Sequence, residues 1–149
     1  MNPAEPAHTP ASPPPDADEE LLLAAAWEVR GAARCEFSGF AVGAALLDDA
    51  GRVWTGANVE NASYTLGLCA ERVALFYALT HGARDFRRVA VVTGAAAPTS
   101  PCGACRQLLL EFAPDATLVT AVADGQRLRT TVRELLPFGF DAASLGRRG

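Results

Sequence analysis

Two short motifs constrain this chain more than anything else in it: Cys69-Ala70-Glu71 and Pro101-Cys102-Gly103-Ala104-Cys105. Both open runs whose apolar residues recur at helical spacing, so the cysteines stand on the first turns of two helices. There, free backbone N–H groups and the helix dipole favour a thiolate. The gap of two residues between Cys102 and Cys105 puts both sulfurs on one side of their turn, a distance that one tetrahedral zinc ion can bridge. A fold that serves these motifs must bring both helix starts to one end of a sheet. Three thiolates leave a fourth position open, which suits a catalytic zinc better than a closed structural one. Glu71, two residues past a ligand, is then placed to move protons between water and a substrate.

The remaining pattern supplies such a sheet. Leu22, Leu23, Ala26, Val29 and Ala33 predict an amphipathic helix over 18–34, with Asp18 as its N-cap. Phe40 to Leu47 reads as a buried strand. Asp48-Asp49-Ala50-Gly51 is a hairpin turn with Gly51 left-handed, and 52–57 returns as the second strand. A polar loop over 58–67 precedes a helix over 69–81 that Gly82 ends. Strands follow at 89–92, 116–122 and 127–130, with a helix over 102–112 stopped by Pro114 and a brief helix capped by Thr131. This order predicts an α/β fold, a three-layer α/β/α domain around one mixed five-stranded sheet.

Composition narrows the chemistry. All 13 basic residues are Arg, which excludes a Schiff-base lysine and a P-loop NTPase. With only His8 and His81, a His-rich metal site and a Ser-His-Asp triad are disfavoured. A net charge of −4 argues against binding a polynucleotide, which needs a basic face. Six prolines fall within the first fifteen residues, so residues 1–17 are expected to be a disordered tail and 18–149 the folded domain. The opening stretch has neither the basic nor the apolar region of a signal peptide, and no run has the length of a membrane span. A cytoplasmic location is expected, where thiols stay reduced and ask for a metal or catalytic explanation.

Rival readings of the cysteines stand beside the catalytic one. Cys35 as a fourth ligand would close the site, although a small buried apolar residue at a helix end is its plainer role. Cys102 and Cys105 alone would serve as a redox pair.

The C-x-E and P-C-x-x-C combination matches the zinc nucleobase deaminases. The chain further resembles the cytidine deaminases of the small homotetrameric type. The likeness is carried by Ser38-x-Phe40-x-Val42-Gly43-Ala44-Ala45, by Gly56-x-Asn58-Val59-Glu60-Asn61-Ala62, and by Cys69-Ala70-Glu71-Arg72. It continues through Ser100-Pro101-Cys102-Gly103-Ala104-Cys105-Arg106-Gln107 to Leu135-Leu136-Pro137. The resemblance implies one zinc per chain on Cys69, Cys102 and Cys105, with Glu71 as proton shuttle. It implies that Asn58 and Glu60 bind the ribose 3′-hydroxyl, that Phe40 stacks on the pyrimidine, and that the backbone of Ala70 helps read the base. It also implies a homotetramer in which Tyr64 and Phe140 act across subunit interfaces. Arg72 is expected to offset the negative charge of three thiolates on zinc. The implied reaction is deamination of cytidine and 2′-deoxycytidine in pyrimidine salvage. One departure stands out: Glu36-Phe37-Ser38 replaces the family's usual Pro-Tyr-Ser, so a phenol is missing near the site.

Overall fold

Sheet order is the fact from which the rest of the architecture follows. In the computed structural model, which describes residues 16–146, the strands are β1 (Val42–Asp48), β2 (Val53–Ala57), β3 (Phe86–Thr93), β4 (Thr117–Val122) and β5 (Arg127–Thr131). They lie in the order β2-β1-β3-β4-β5. Only β3 and β4 run parallel. That pair requires a crossover, which α3 (Gly103–Phe112) supplies. The helices α1 (Ala17–Arg30), α2 (Ala70–Thr80) and α4 (Val132–Leu135) complete the fold, with short 3₁₀ turns at Tyr64–Leu66 and Ala142–Leu145.

Alternation along β1 explains the three layers. Ala44 and Leu46 face a core shared with Ala74, Leu75 and Ala78 of α2 and Leu109 and Leu110 of α3. Ala45 and Leu47 face the opposite core, which Leu22, Leu23 and Ala26 of α1 fill. Both faces are covered, so β1 reads as a continuous apolar run. The expected α/β/α domain with one mixed five-stranded sheet is therefore the observed fold.

Element ends differ from the sequence reading where tertiary contacts intervene. The N-cap of α1 is Asp16 rather than Asp18, and its carboxylate accepts from Glu19 N at 2.9 Å. The rest of the expected disordered stretch, apart from Ala17 in α1, lies outside the described residues. The helix ends at Arg30 rather than continuing to 34. Arg34 N donates instead to Asn58 O at 2.9 Å, so the chain leaves the helix to bridge the 58–60 segment. Cys35 accordingly sits half-buried in a loop, not buried at a helix end. The hairpin turn is as expected: Gly51 has φ of 78° and its N–H reaches Asp48 O at 3.0 Å. Buried Asp48 fastens it, accepting from Arg52 N, Arg52 Nε and Trp54 Nε1.

One glycine sets the position of α2. A Cβ on Gly56 would meet Ala74 N and Ala70 O, the latter at 2.7 Å. Its absence lets β2 lie directly against the first turns of α2, where Cys69 and Glu71 are.

Glu19 ties α1 to the far edge of the sheet. It accepts from Arg129 Nε at 2.9 Å, Arg129 Nη2 at 2.8 Å and Arg127 Nη1 at 2.8 Å. These guanidiniums, Arg129 foremost, hold its carboxyl below the ordinary glutamate value of 4.5. A depressed pKa stabilises the fold above the unfolded value, and that stabilisation is lost as pH falls through the folded one. Glu19→Gln is expected to cost about 2 kcal/mol at pH 7, since it leaves the half-buried Arg129 guanidinium without its anion, whereas Arg127 keeps Glu20. The gap between the urea midpoints of the two proteins should narrow as pH falls below about 4.5 and through the lower folded value. An equal gap at pH 3 and pH 7 would contradict the ion-pair account.

Candidate metal centre and active site

The three motif cysteines meet where α2 and α3 begin. Cys69 is the N-cap of α2 and Cys102 the N-cap of α3, while Cys105 lies in the first turn of α3. Neither N-cap thiol caps the backbone of its own helix, so both are free to turn toward a shared point. Cys69 Sγ is 3.9 Å from Cys102 Sγ, which is 3.6 Å from Cys105 Sγ. All three sulfurs fall within 4.8 Å of one another. Tetrahedral Zn–S bonds of about 2.3 Å place sulfurs roughly 3.8 Å apart, so the spacing fits one zinc ion. Cys35 is not in the cluster, and among the described residues no fourth side chain closes it.

The charge balance of the trio points the same way. Hydrogen bonding from Cys105, then from Arg72 and Cys102, pushes the Cys69 thiol down to about 5. Cys105 moves in the opposite sense: sharing its proton with Cys69, burial and the nearby Glu71 charge push its thiol up. Without a cation the cluster holds the Cys69 thiolate readily and resists a second at Cys105. A divalent cation removes that conflict and lets all three sulfurs ionise.

Two charged neighbours complete the centre. Glu71, the second residue of α2, is 5 % exposed, and burial foremost raises its carboxyl pKa. Arg72 Nη2 donates to Gly67 O at 3.2 Å and approaches Cys69 Sγ at 3.8 Å. Its buried Nε has no hydrogen-bond partner, so the guanidinium is held in place for its charge beside the sulfurs.

A cavity of about 310 Å³ opens over this centre, lined by Cys69, Cys102 and Glu71 together with Asn58 and Glu60. Phe40 and Thr99 line it as well. That is the size of a small-molecule site, apolar in the main with a few convergent polar groups. A second hollow of about 330 Å³, between α1 and the β4–β5 edge, contains none of the thiols.

Comparison with known proteins settles the family. Residues 16–121 match the family model described as the cytidine and deoxycytidylate deaminase zinc-binding region. The chain belongs to the cytidine and deoxycytidylate deaminase family. A cytidine deaminase of Halalkalibacterium halodurans is 45 % identical over 129 residues, covering 86 % of this chain and 98 % of that one. A cytidine deaminase of Mycobacterium tuberculosis is 40 % identical over 136 residues, covering 90 % and 99 %. The crystal structure of cytidine deaminase from Burkholderia pseudomallei superposes with a TM-score of 0.79 at 44 % identity, covering 81 % and 98 %. Zinc is thus the cofactor of this deaminase, and Cys69, Cys102 and Cys105 are the residues that fit it.

Within this deaminase fold the other expected site residues divide into two groups. Phe40, Asn58 and Glu60 line the same cavity as Cys69, Cys102 and Glu71. Phe40 corrects the sequence reading: it does not open a buried strand but lies two residues before β1 and is 42 % exposed. Its backbone is held by a side chain instead of a strand ladder, for Asn58 Nδ2 donates to Phe40 O at 2.9 Å. Tyr64 and Phe140 are exposed and lie outside the cavity, and Ala70 is fully buried as the first residue of α2. Phe37, where the family's phenol would be, packs edge-on against Tyr64 with ring centroids 5.9 Å apart.

Arg106 was legible as a motif residue but not for its role. Its Nε donates to Pro101 O at 2.7 Å, Nη2 to Ser100 Oγ at 2.8 Å and Nη1 to Leu135 O at 3.2 Å. One side chain thereby fixes the turn that presents Cys102 and docks it on the end of α4. An arginine directly after P-C-x-x-C, one helical turn from the proline carbonyl, was the available signal.

Proposed function

We propose that this protein hydrolyses the 4-amino group of cytidine and 2′-deoxycytidine, giving uridine or 2′-deoxyuridine and ammonia, as a step of pyrimidine salvage. The observation that carries the reading is one cavity lined both by Cys69, Cys102 and the buried carboxyl of Glu71 and by a second carboxylate, Glu60, with Asn58. A pyrimidine nucleoside offers an electrophilic ring carbon to the first set of groups and sugar hydroxyls to the second. Relatives that are named cytidine deaminase match nearly their whole length to this chain.

When bound by Cys69, Cys102 and Cys105, zinc supplies the Lewis acidity that makes water a nucleophile near neutral pH. Glu71 does the proton work. Its carboxylate takes a proton from the water that adds to C4 and delivers it to N3, then moves the proton of the new C4 hydroxyl to the amino nitrogen as the C4–N bond breaks, leaving a C4 carbonyl and ammonia. Burial suits it to this exchange by bringing its affinity for a proton closer to that of the groups it serves. Arg72 offsets the excess charge of the thiolates. Phe40 stacks on the base, the backbone at Ala70 helps read it, and Asn58 and Glu60 hold the 3′-hydroxyl.

The assembly is a homotetramer on this reading. Tyr64, Phe138 and Phe140 stand well exposed on a single chain, where contact with neighbouring subunits would cover them. Tyr64 and Phe140 then reach the neighbouring subunit's cavity. Reduced thiols at the centre favour the cytoplasm as compartment, and no helix of the described residues is long and apolar enough to cross a membrane. Purified protein should release ammonia from cytidine, contain one zinc per chain, and elute with a light-scattering mass of four chains. Zinc-loaded protein inert toward cytidine and deoxycytidine, yet active on adenine in RNA or on a blasticidin-type antibiotic, would transfer the reading to that substrate.

A further inference from the structure

We propose that Ser38 is a positioning residue for substrate recognition, its hydroxyl locking the Glu60 carboxylate and the Phe40 peptide into one unit. The inference rests on the reading above, in which Glu60 accepts a sugar hydroxyl and Phe40 faces the base.

Ser38 Oγ makes two bonds, and both partners line the cavity. It accepts from Phe40 N at 2.9 Å and donates to Glu60 Oε1. The other oxygen, Glu60 Oε2, accepts from Phe37 N at 2.9 Å and from Ser38 N at 3.1 Å. A carboxylate offers about four lone-pair sites. Three are filled here from residues 37 and 38, which leaves one on Oε1 for an outside donor. Ser38 thus fixes the oxygen that keeps a free site. Without its hydroxyl, Oε2 stays pinned by backbone while Oε1 loses its restraint.

The same hydroxyl governs Phe40 from the opposite direction. Gly39 takes φ of 67°, which folds the chain so that Phe40 N–H points back at Ser38 Oγ. On the far side of Phe40, Asn58 Nδ2 donates to Phe40 O at 2.9 Å, and Asn58 Oδ1 accepts from Val42 N at 2.8 Å. The phenylalanine that lines the cavity is therefore clamped at its amide by Ser38 and at its carbonyl by Asn58. Hydrogen bonds from Ser38 foremost also hold the Glu60 carboxyl below its ordinary value, keeping it an acceptor. Ser38 itself is exposed and belongs to no hydrophobic core, so its bonds serve the site rather than the fold.

The test compares cytidine with 3′-deoxycytidine, which lacks the hydroxyl in question, using zinc-loaded full-length protein. The quantity read is the ratio of kcat/KM for the two nucleosides. Glu60→Ala should lower that ratio, and an unchanged ratio would overturn the role given to Glu60 rather than to Ser38. Ser38→Ala should lower it about tenfold, through a raised KM for cytidine with kcat within about twofold, melting temperature and zinc content staying at the parent values. Added to Glu60→Ala, the same substitution should change the ratio less than about twofold, because Ser38 acts through Glu60. A Ser38→Ala protein that keeps the ratio while Glu60→Ala loses it, or that slows both nucleosides equally, overturns the proposal.

Discussion

Cys102→Ala is expected to strip the protein of zinc and of activity together. Cys102 Sγ is the middle member of the cluster, 3.9 Å from Cys69 Sγ and 3.6 Å from Cys105 Sγ. Two remaining thiols do not hold zinc as three do, and metal binding here is coupled to thiol ionisation. Bound zinc should fall to below about a tenth of an ion per chain, and turnover by at least roughly a thousandfold. The melting temperature should fall toward that of chelator-treated parent, because an ion bound only by the folded state stabilises it. Cys35→Ser is the matched control and should keep a full zinc complement. A zinc-free Cys102→Ala protein with activity near that of the parent would remove the metal from the reaction. Loss of zinc in Cys35→Ser would replace the open site with a closed one.

Glu71→Gln should separate chemistry from metal binding. The substitution keeps the shape of a buried side chain and takes away its ability to exchange a proton. Glu71 is not a member of the thiol cluster, so zinc content should stay at the parent level. Turnover should fall by about 10²–10⁴-fold, the usual worth of a positioned general acid and base. Since the carboxyl acts on bound substrate, the loss should appear in kcat, with KM changed little. Metal analysis and steady-state rates on one preparation decide the matter. A Glu71→Gln protein within tenfold of the parent rate would assign the proton transfers to another group.

The parts of the site that sequence made legible are those with a local signature. Cys102 and Cys105 are three apart on one helical turn, and Cys69 and Glu71 are two apart at the start of another. Apolar periodicity located both helices to within a residue or two, because amphipathic helices and buried strands carry their own period. Element ends were less legible. Arg34 leaves the expected helix for Asn58, and Phe40 leaves the expected strand for the amide of Asn58. Each partner lies about twenty residues further along the chain, and nothing near Arg34 or Phe40 announces it.

By itself, then, the sequence determined which side chains make up the candidate site: three thiols, a carboxyl beside one of them, and a neighbouring arginine. It also determined that α-helices and strands alternate around an apolar sheet. Only the tertiary structure decided that Cys69 meets Cys102, which is 33 residues away, that Glu60 is gripped by Ser38 across 22 residues, and that Glu19 reaches Arg129 across 110. The physical reason is range. Propensity, capping and amphipathic period act within a few residues, whereas a long-range hydrogen bond exists only once packing has placed its two groups together.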